Sequence, residues 1–527
     1  MCIRDRLSGL RFAVAHAKTH RKKRIIFTSP LLSILDQNAK IIREFIGNDS
    51  IITEHHSNVA LDEDNADELK RAQLLTENWS SPVIITTLVQ LLDTLFAGKT
   101  SCIRRMHALC DSVIVIDEVQ TVPNEMLSLF NTAVNFLSEV CGATIVLCSA
   151  TQPCLEQTAH PMTENIKDIA PFDEELWRVF RRTQIIDKGG MRLDAIPAFI
   201  AEQLGTTDSL LVICNLKKQA AYLFTEMKLE NTVIFHLSAG MCMAHRMAVI
   251  SEINSALERK RTNPDAPKVV CISTQVIEAG VDVSFGCVIR LCAGLDSVIQ
   301  AAGRCNRNGE LNGAADVFII NCRGEDLGML RSIKDGKMAC MSLLSDYEYH
   351  PEKYPSGLTS DEAVYAYYKK LYIQSDIGAQ DMPIKIDGSP FTLFDLLSLD
   401  RTFANAPYLK ANGEKYALTQ AFKTAGNRFT VFGSSTTDVI VPYGEGKEII
   451  AEFGSKRAED DIKYLKKLIK KARAYTVSLY ENQRRALADS GALHPIADGI
   501  ALALSEEFYN EDFGLNLDGE SREAITL

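Results

Sequence analysis

Along the chain, short unbroken apolar runs alternate with longer segments whose apolar residues recur every third or fourth position. Up to about residue 180 the runs are RIIFTSP (Arg24 to Pro30), PVIITT (Pro82 to Thr87), SVIVIDE (Ser112 to Glu118) and ATIVLCSAT (Ala143 to Thr151). Between them, LLSILDQNAKIIREFI and LVQLLDTLF have helical spacing. Runs apolar at every position predict strands covered on both faces, and their alternation with helices predicts a parallel, doubly wound sheet. After a polar, acidic stretch around Thr158 to Glu175 a second series begins. Its runs are SLLVICN (Ser209 to Asn215), NTVIFHLS (Asn231 to Ser238), KVVCISTQ (Lys268 to Gln275), CVIRLCA (Cys287 to Ala293) and ADVFIIN (Ala315 to Asn321). The two series differ in sequence, so the duplication is one of architecture.

From about Asp346 the periodicity weakens and tyrosine becomes frequent, which marks a third region. The expected fold class is therefore α/β: two tandem parallel-sheet lobes, at 1–180 and 181–345, then a linker region at 346–400 and a C-terminal accessory α+β domain at 401–527. Within that last region DDIKYLKKLIKKARAY (Asp460 to Tyr475) predicts a basic amphipathic helix with Ile462, Leu465, Leu468, Ile469 and Ala472 inward. Its lysines form either a solvated outer face or a surface that tracks phosphates.

Composition narrows the classes. A chain of 527 residues, 46% apolar and 24% charged, has the make-up of an ordinary globular protein with several domains. No apolar run approaches a membrane span, and MCIRDRLSGLRFAV lacks a signal peptide's apolar core, so neither membrane nor secretion is expected. Fourteen cysteines without a CxxC pair argue against a zinc ribbon or a disulfide framework and fit the cytoplasm. The net charge of −11 supplies no global attraction to nucleic acid, so any such binding must come from local grooves and backbone donors.

The candidate chemistry begins at VIVIDEVQTVP (Val113 to Pro123), where four β-branched residues run into Asp117 and Glu118. Ligands bind open α/β sheets beyond the carboxyl ends of the strands. Two carboxylates there are costly to desolvate without a cation or partner. Mg²⁺ with a phosphate ligand, a structural salt bridge and plain solvent exposure all satisfy that condition. The SAT tripeptide (Ser149 to Thr151) follows the next strand; its hydroxyls either link the carboxylates onward or cap a turn. In the second series, STQVIEAGVDVSF (Ser273 to Phe285) precedes QAAGRCNRNGE (Gln300 to Glu310). There Arg304 and Arg307, three apart on an expected helix start, can point one way, and arginines of this kind neutralise charge on a transferring phosphoryl group.

The order TSP, TT, DEVQ, SAT, a second α/β series, TQVIEAGVD and QxxGRxxR resembles a superfamily-two helicase over about residues 9 to 322. EHHSNV (Glu54 to Val59), TTLVQLLDTLF (Thr86 to Phe96), DEVQTVP, HLSAGMCMAHR (His236 to Arg246) and TQVIEAGVDVSF narrow this to the helicase core of the CRISPR-associated helicase-nuclease of type I systems. QAFKTAGNRFTVFG (Gln420 to Gly433) and VIVPYGEG (Val439 to Gly446) are similar to the C-terminal region of subtype I-C members.

That resemblance implies two RecA-like lobes and ATP-driven translocation on single-stranded DNA after recruitment by a guide-RNA effector complex, with ATP and Mg²⁺ as cofactors and a monomer as the working form. Asp117 would hold Mg²⁺ on the phosphates and Glu118 would orient the attacking water. Arg304 and Arg307 would reach the γ-phosphate, with Gln300 beside them, and Gly280 and Asp282 would couple nucleotide to strand. Thr28, Ser29, Thr87 and Thr274 lie in segments that touch the nucleic-acid backbone in the family, where hydroxyls grip phosphates without reading bases. Ser149, Thr151 and Gln120 belong to the coupling segments, Gln120 standing where relatives often carry His.

Two motifs of the family are not found. The sequence contains no G-x-x-x-x-G-K-[ST] loop, which cradles phosphates in backbone N–H groups, and no His-Asp dipeptide of the kind on which the family's nuclease domain is built. LSGLRFAVAHA (Leu7 to Ala17) looks like the helix after that loop, so the chain is expected to start just downstream of it, to be impaired in hydrolysis and to carry no nuclease. His55 and His56 are expected to serve the core or to support neighbouring groups. A different superfamily-two translocase and a fragment that binds nucleic acid or effector without hydrolysing ATP are the alternatives.

Overall fold

The computed structural model describes residues 3–30, 32–56, 74–163, 166–169, 181–278, 280–328, 330–373, 378–399, 403, 405–413, 420–431, 436–497 and 499–517. The chain forms two compact units, one of residues 1–171 and 341–433, the other of residues 172–340 and 434–527.

The first unit is organised by a five-stranded, wholly parallel sheet of β1 (Arg24–Ser29), β2 (Ile52–His55), β3 (Val83–Thr87), β4 (Ser112–Asp117) and β5 (Thr144–Cys148), in the order β2-β3-β1-β4-β5. Every residue of β3 and β4 is buried, as a β-branched run covered on both faces requires. Leu10 of helix Ile3–Thr19 packs with Ile52, Val83 and Ile85, and Ala13 of the same helix with Ile25, Val113 and Val115. The register sets Thr28 beside Ile116 and Asp117 beside Cys148, bringing the ends of three strands to one rim of the sheet.

The second unit repeats the scheme with β6 (Thr183–Arg192), β7 (Ser209–Ile213), β8 (Thr232–Leu237), β9 (Lys268–Ser273), β10 (Cys287–Leu291) and β11 (Ala315–Arg323), in the order β6-β11-β10-β7-β9-β8. Alternation along β7 is direct: Leu210 and Val212 enter one core, Leu211 and Ile213 the core on the opposite face.

All nine expected strands are present. Two more, β2 and β6, lie at sheet edges and were not expected. Their polar sequences ITEH and TQIIDKGGMR match no buried-strand pattern, because an edge strand pairs on one side only and tolerates exposed polar residues.

The C-terminal third divides between the units. Its first half belongs to the first unit: Ser128 N donates to Gln380 O at 3.1 Å, Ala159 N to Gln380 Oε1 at 2.9 Å and Met382 N to Glu125 O at 2.6 Å. Residues 346–400, expected as a linker, contain helix Asp361–Ile373 and the hairpin β12 (Pro383–Ile386) and β13 (Ser389–Thr392). The second half completes the second unit with β14 (Thr436–Ile440), β15 (Thr476–Tyr480), β16 (Leu493–Ile496) and β17 (Ala501–Leu504) in the order β15-β14-β17-β16, and the ribbon β18 (Tyr509–Asn510) and β19 (Gly514–Leu515).

Helix Ile462–Ala472 is capped by Asp461, whose side chain accepts from Lys463 N and Tyr464 N. Leu468 and Ala472 are buried, and Leu465 and Ile469 pack beside them. Ile462, expected inward, is 70% exposed and is not among the residues packed in this core.

Candidate functional site

β4 carries its apolar run to the rim of the sheet and ends on Asp117, which is 9% exposed. The chain then turns sharply. Glu118 adopts φ 53, ψ 50, a left-handed conformation strained for a residue with a Cβ, and its N–H donates to Asp117 Oδ1 at 3.1 Å. The turn separates the two carboxylates and leads into a short 3₁₀ segment, Val119–Thr121, which brings Gln120 back to Glu118. Gln120 Nε2 donates to Glu118 Oε2, and Ser149 Oγ donates to Gln120 Oε1 at 2.6 Å. Both ends of the amide are used, so its orientation follows from its partners.

Ser149 also receives Thr151 N at 2.9 Å, and Thr151 Oγ1 lies 3.3 Å from Tyr368 OH. The SAT segment therefore caps its own turn and joins the carboxylates to the helix Asp361–Ile373 within one hydrogen-bonded series. Cys148, between these segments, has its thiol pushed up to about 11, by burial first and then by the negative charges of Asp117 and Glu118.

Three of the hydroxyls expected to face nucleic acid sit on the same rim. Thr28 Oγ1 donates to Val115 O at 3.3 Å within the sheet. Thr87 caps helix Leu88–Phe96 by accepting from Gln90 N at 3.2 Å. Ser29 is 1% exposed and its Oγ has no hydrogen-bond partner among the described residues.

EHHSNV is described only as far as His56; Ser57 to Val59 lie outside the described residues. His55 Nδ1 accepts from Trp79 Nε1 at 3.1 Å and lies 3.1 Å from Arg105 Nη1. Its pKa is pushed down to about 4 by burial, then by Arg105 and His56, so the ring is neutral. Arg105 is tied to Gln90 Oε1 at 2.8 Å and lies 5.2 Å from the centre of the Trp79 ring. His55 is thus a core acceptor. His56 pairs with Glu54 at 3.1 Å.

In the second unit TQVIEAGVDVSF and QAAGRCNRNGE are knitted together. Helix Leu295–Ala302 ends, rather than starts, at the second segment: Gln300 lies in its last turn and Gly303 is its C-cap. Beyond it, Phe285 N donates to Arg304 O and Asn306 N to Phe285 O, each at 2.9 Å, which pins the two loops side by side. Arg304 is 7% exposed, and its guanidinium donates to Ile277 O at 3.0 Å and to Glu278 O. Arg307 is more open; its Nε pairs with Asp282 Oδ1 at 2.9 Å and its Nη1 donates to Gly303 O at 3.1 Å. The two arginines therefore do not project as a pair. Arg304 fixes the TQVIEAGVD loop, and Arg307 holds the exposed Asp282. Gly280 lies at φ +79 in that loop, a conformation that L residues rarely adopt. Thr274 is 6% exposed with its Oγ1 unpartnered among the described residues.

A buried polar chain beneath these loops was not expected. Arg290 of β10 is fully buried, with Nε 2.7 Å from Glu278 Oε1 and Nη1 donating to Asn215 Oδ1 at 2.6 Å. Asn215 Nδ2 in turn donates to Glu325 Oε1 at 2.9 Å, and Lys337 Nζ lies 2.7 Å from Glu325 Oε2. Burial raises the Glu278 carboxyl while Arg290 pulls it down. The sequence signals were a lone arginine within CVIRLC and an asparagine closing SLLVICN.

Among the described residues no group of three or more His, Cys, Asp or Glu side chains could hold a metal ion. A divalent ion at Asp117 and Glu118 would therefore depend on phosphate oxygens as well as on a carboxylate, as Mg²⁺ sites commonly do. Among the described residues, no helix is long and apolar enough to cross a membrane.

Comparisons with known proteins bear on the sequence and the fold. The family model described as CRISPR-associated nuclease/helicase Cas3, C-terminal, matches residues 206–310. Two curated proteins, each described as CRISPR-associated nuclease/helicase Cas3, are similar to the chain. That of Haloferax volcanii is 26% identical over 54% of this chain and 41% of its own length. That of Methanothermobacter thermautotrophicus is 23% identical over 56% of this chain and 37% of its own. The chain thus spans less than half the length of the curated relatives that it matches. The crystal structure of T. fusca Cas3-ATP matches with a TM-score of 0.60 at 14% identity, over 92% of this chain and 61% of that one. A crystal structure of a CRISPR-associated protein matches with a TM-score of 0.61 at 14% identity, over 96% and 65%. At such identity the structural likeness is one of fold. The chain is thus similar in sequence to curated Cas3 proteins over about half its length, and its fold is similar to that of the solved structures.

Proposed function

We propose that this chain forms the helicase core of a type I CRISPR interference protein, in which ATP hydrolysis drives movement along single-stranded DNA delivered by a guide-RNA effector complex. The hydrogen-bonded series from Glu118 through Gln120 and Ser149 to Thr151 is the observation that carries this reading. It ties the carboxylate suited to orient a water to the next strand's loop, so a change at the phosphates has a path into the fold.

Asp117, held at the end of β4, is positioned to bind the divalent ion that accompanies a nucleotide's phosphates. That ion supplies charge neutralisation on the phosphates when bound. Glu118 accepts a proton from, or orients, the attacking water, and its backbone turn sets the direction of its carboxylate. Gln120 keeps that carboxylate in place and transmits its position to Ser149. In the second unit Arg304 sets the shape of the TQVIEAGVD loop. Arg307, which exchanges Asp282 for a phosphate at little cost, is the arginine we assign to the phosphoryl charge. Thr28, Ser29, Thr87 and Thr274 are assigned to the nucleic-acid backbone; the hydroxyls of Ser29 and Thr274 lack protein partners among the described residues.

DNA-stimulated phosphate release, measured on a chain supplied with a G-x-x-x-x-G-K-[ST] loop, tests the assignment. Asp117→Asn and Glu118→Gln should each lower the rate by about 10²-fold or more while leaving DNA binding intact. Normal hydrolysis by both variants would sink it. A second reading is that this polypeptide by itself binds DNA and does not hydrolyse ATP. Phosphate release from the unextended chain would exclude it.

A further inference from the structure

The helix Ile462–Ala472, IKYLKKLIKKA, carries five lysines and no acidic residue in a chain whose net charge is −11. At about 100° per residue, Lys463, Lys466, Lys467, Lys470 and Lys471 fall within one half of the helix circumference, opposite the buried Leu468 and Ala472. Among the described residues none of the five has an acidic partner or a hydrogen bond from its side chain. Asp461 caps the helix, and Glu452 accepts from Tyr464 OH at 2.7 Å.

Stability does not account for this face. Lysines at 463/466, 463/467, 466/470, 467/470 and 467/471 are like charges at helical neighbour spacing and repel. Lys470 and Lys471 gain from the helix dipole in the last turn, but Lys463 sits in the first turn, where a cation is disfavoured. Burial of Leu468, Ala472 and their neighbours absorbs the strain of the array. A polyanion removes that repulsion on binding.

We propose that this lysine face is a docking surface for a nucleic-acid phosphate backbone, carried by the α+β part of the second unit and independent of nucleotide hydrolysis. From Lys463 to Lys470 the helix rises about 10 Å, which spans about three phosphates of one strand at about 3.4 Å of axis each. Lysine suits such a surface because it binds phosphate as a point charge without reading bases. The contact is sequence-independent and salt-sensitive.

The test is fluorescence anisotropy of a labelled oligonucleotide, single-stranded and duplex, titrated with the full chain across about 50 to 200 mM KCl. Replacing all five lysines by Gln should weaken binding at low salt by about tenfold or more and make the plot of log affinity against log salt shallower by about 2 to 4. Replacing them by Arg should keep both. Loss on one nucleic-acid form alone supports the proposal and identifies which form docks. Unchanged affinity and slope on both forms would overturn it and leave the face for an acidic protein surface. The Gln set should melt no lower than the parent, since it relieves repulsion; if it fails to fold, the single change Lys467→Gln, read by the same slope, decides the matter.

Discussion

Glu118 illustrates how little of a site's working geometry a sequence carries. The pair of carboxylates was legible in DEVQ, as was the strand before it. The left-handed turn at Glu118 and the two-sided clasp of Gln120 were not, because both depend on where SAT falls across the neighbouring strand. Arg304 makes the converse point. Its spacing from Arg307 suggested a matched pair, yet burial commits it to the carbonyls of Ile277 and Glu278, since an unpaired guanidinium in a core costs far more than one with fixed acceptors. His55 permits a sharp expectation at this scale. Its ring is depressed to about 4, below the usual value of 6.5, so the unfolded chain takes up a proton that the folded chain refuses. Stability contributed by the neutral ring is complete above about pH 6.5 and is lost as pH falls towards 4, at a slope of up to about 1.4 kcal/mol per pH unit. In His55→Asn, which keeps an acceptor near Nδ1 and cannot titrate, that component should vanish. Melting temperatures of parent and variant between pH 4 and 7 give the comparison, and a difference that stays constant with pH would refute it.

Elements were read well where both faces are buried and poorly where one is open. β4 and β7 announce themselves because a fully covered strand must be apolar at every position, whereas β2 and β6 need only one paired edge and spell out ITEH and TQIIDKGGMR. The same limit hid the packing of helix Phe422–Arg428, which lies within the segment that resembles subtype I-C members. Gly98 N donates to Gly426 O at 3.0 Å, and the rings of Phe96 and Phe429 meet at a tilt of 42° with centres 5.2 Å apart. A Cβ at Gly426 would meet Cα and N of Gly98 at 2.7 Å, and backbone on that side has nowhere to go. The glycine is there for close approach rather than for a turn. Gly426→Ala should therefore destabilise the first unit by about 1 to 3 kcal/mol through overpacking, against helix propensity, which favours Ala by about 1 kcal/mol. Gly9→Ala is the matched control: it lies in helix Ile3–Thr19 with nothing within 4 Å of the added atom, so it should be neutral or stabilising. Equal shifts in melting temperature for the two would contradict the packing argument.

At the scale of the whole molecule, the C-terminal third reads in sequence as a separate accessory region, because its periodicity is weak and its composition changes. Its cores show why it does not stand apart. Cys242, from the loop after β8, is buried among Val439, Val441, Val477, Leu479, Leu487 and Leu504. Tyr509 OH accepts from Cys242 N at 3.0 Å and lies 2.9 Å from His245 Nδ1, while Leu515 N donates to Gly240 O at 2.8 Å. The segment HLSAGMCMAHR is therefore finished by residues that follow it by more than 260 positions, Tyr509 lying 264 from His245 and 267 from Cys242. A chain that closes its units in this way should survive a cut at the join. With a protease site inserted between residues 433 and 434, cleavage should leave the C-terminal piece bound through its contacts with residues 236–246, co-eluting with the rest on size exclusion under native conditions. Release as an independent folded domain would mean that burial around Cys242 is too weak to hold the second unit together. Tyr509→Phe in the cleaved protein separates the contributions: it leaves the Cys242 N–H without its acceptor, a loss of about 1 to 3 kcal/mol, and should raise the fraction of C-terminal piece that dissociates on dilution without changing the apolar contacts.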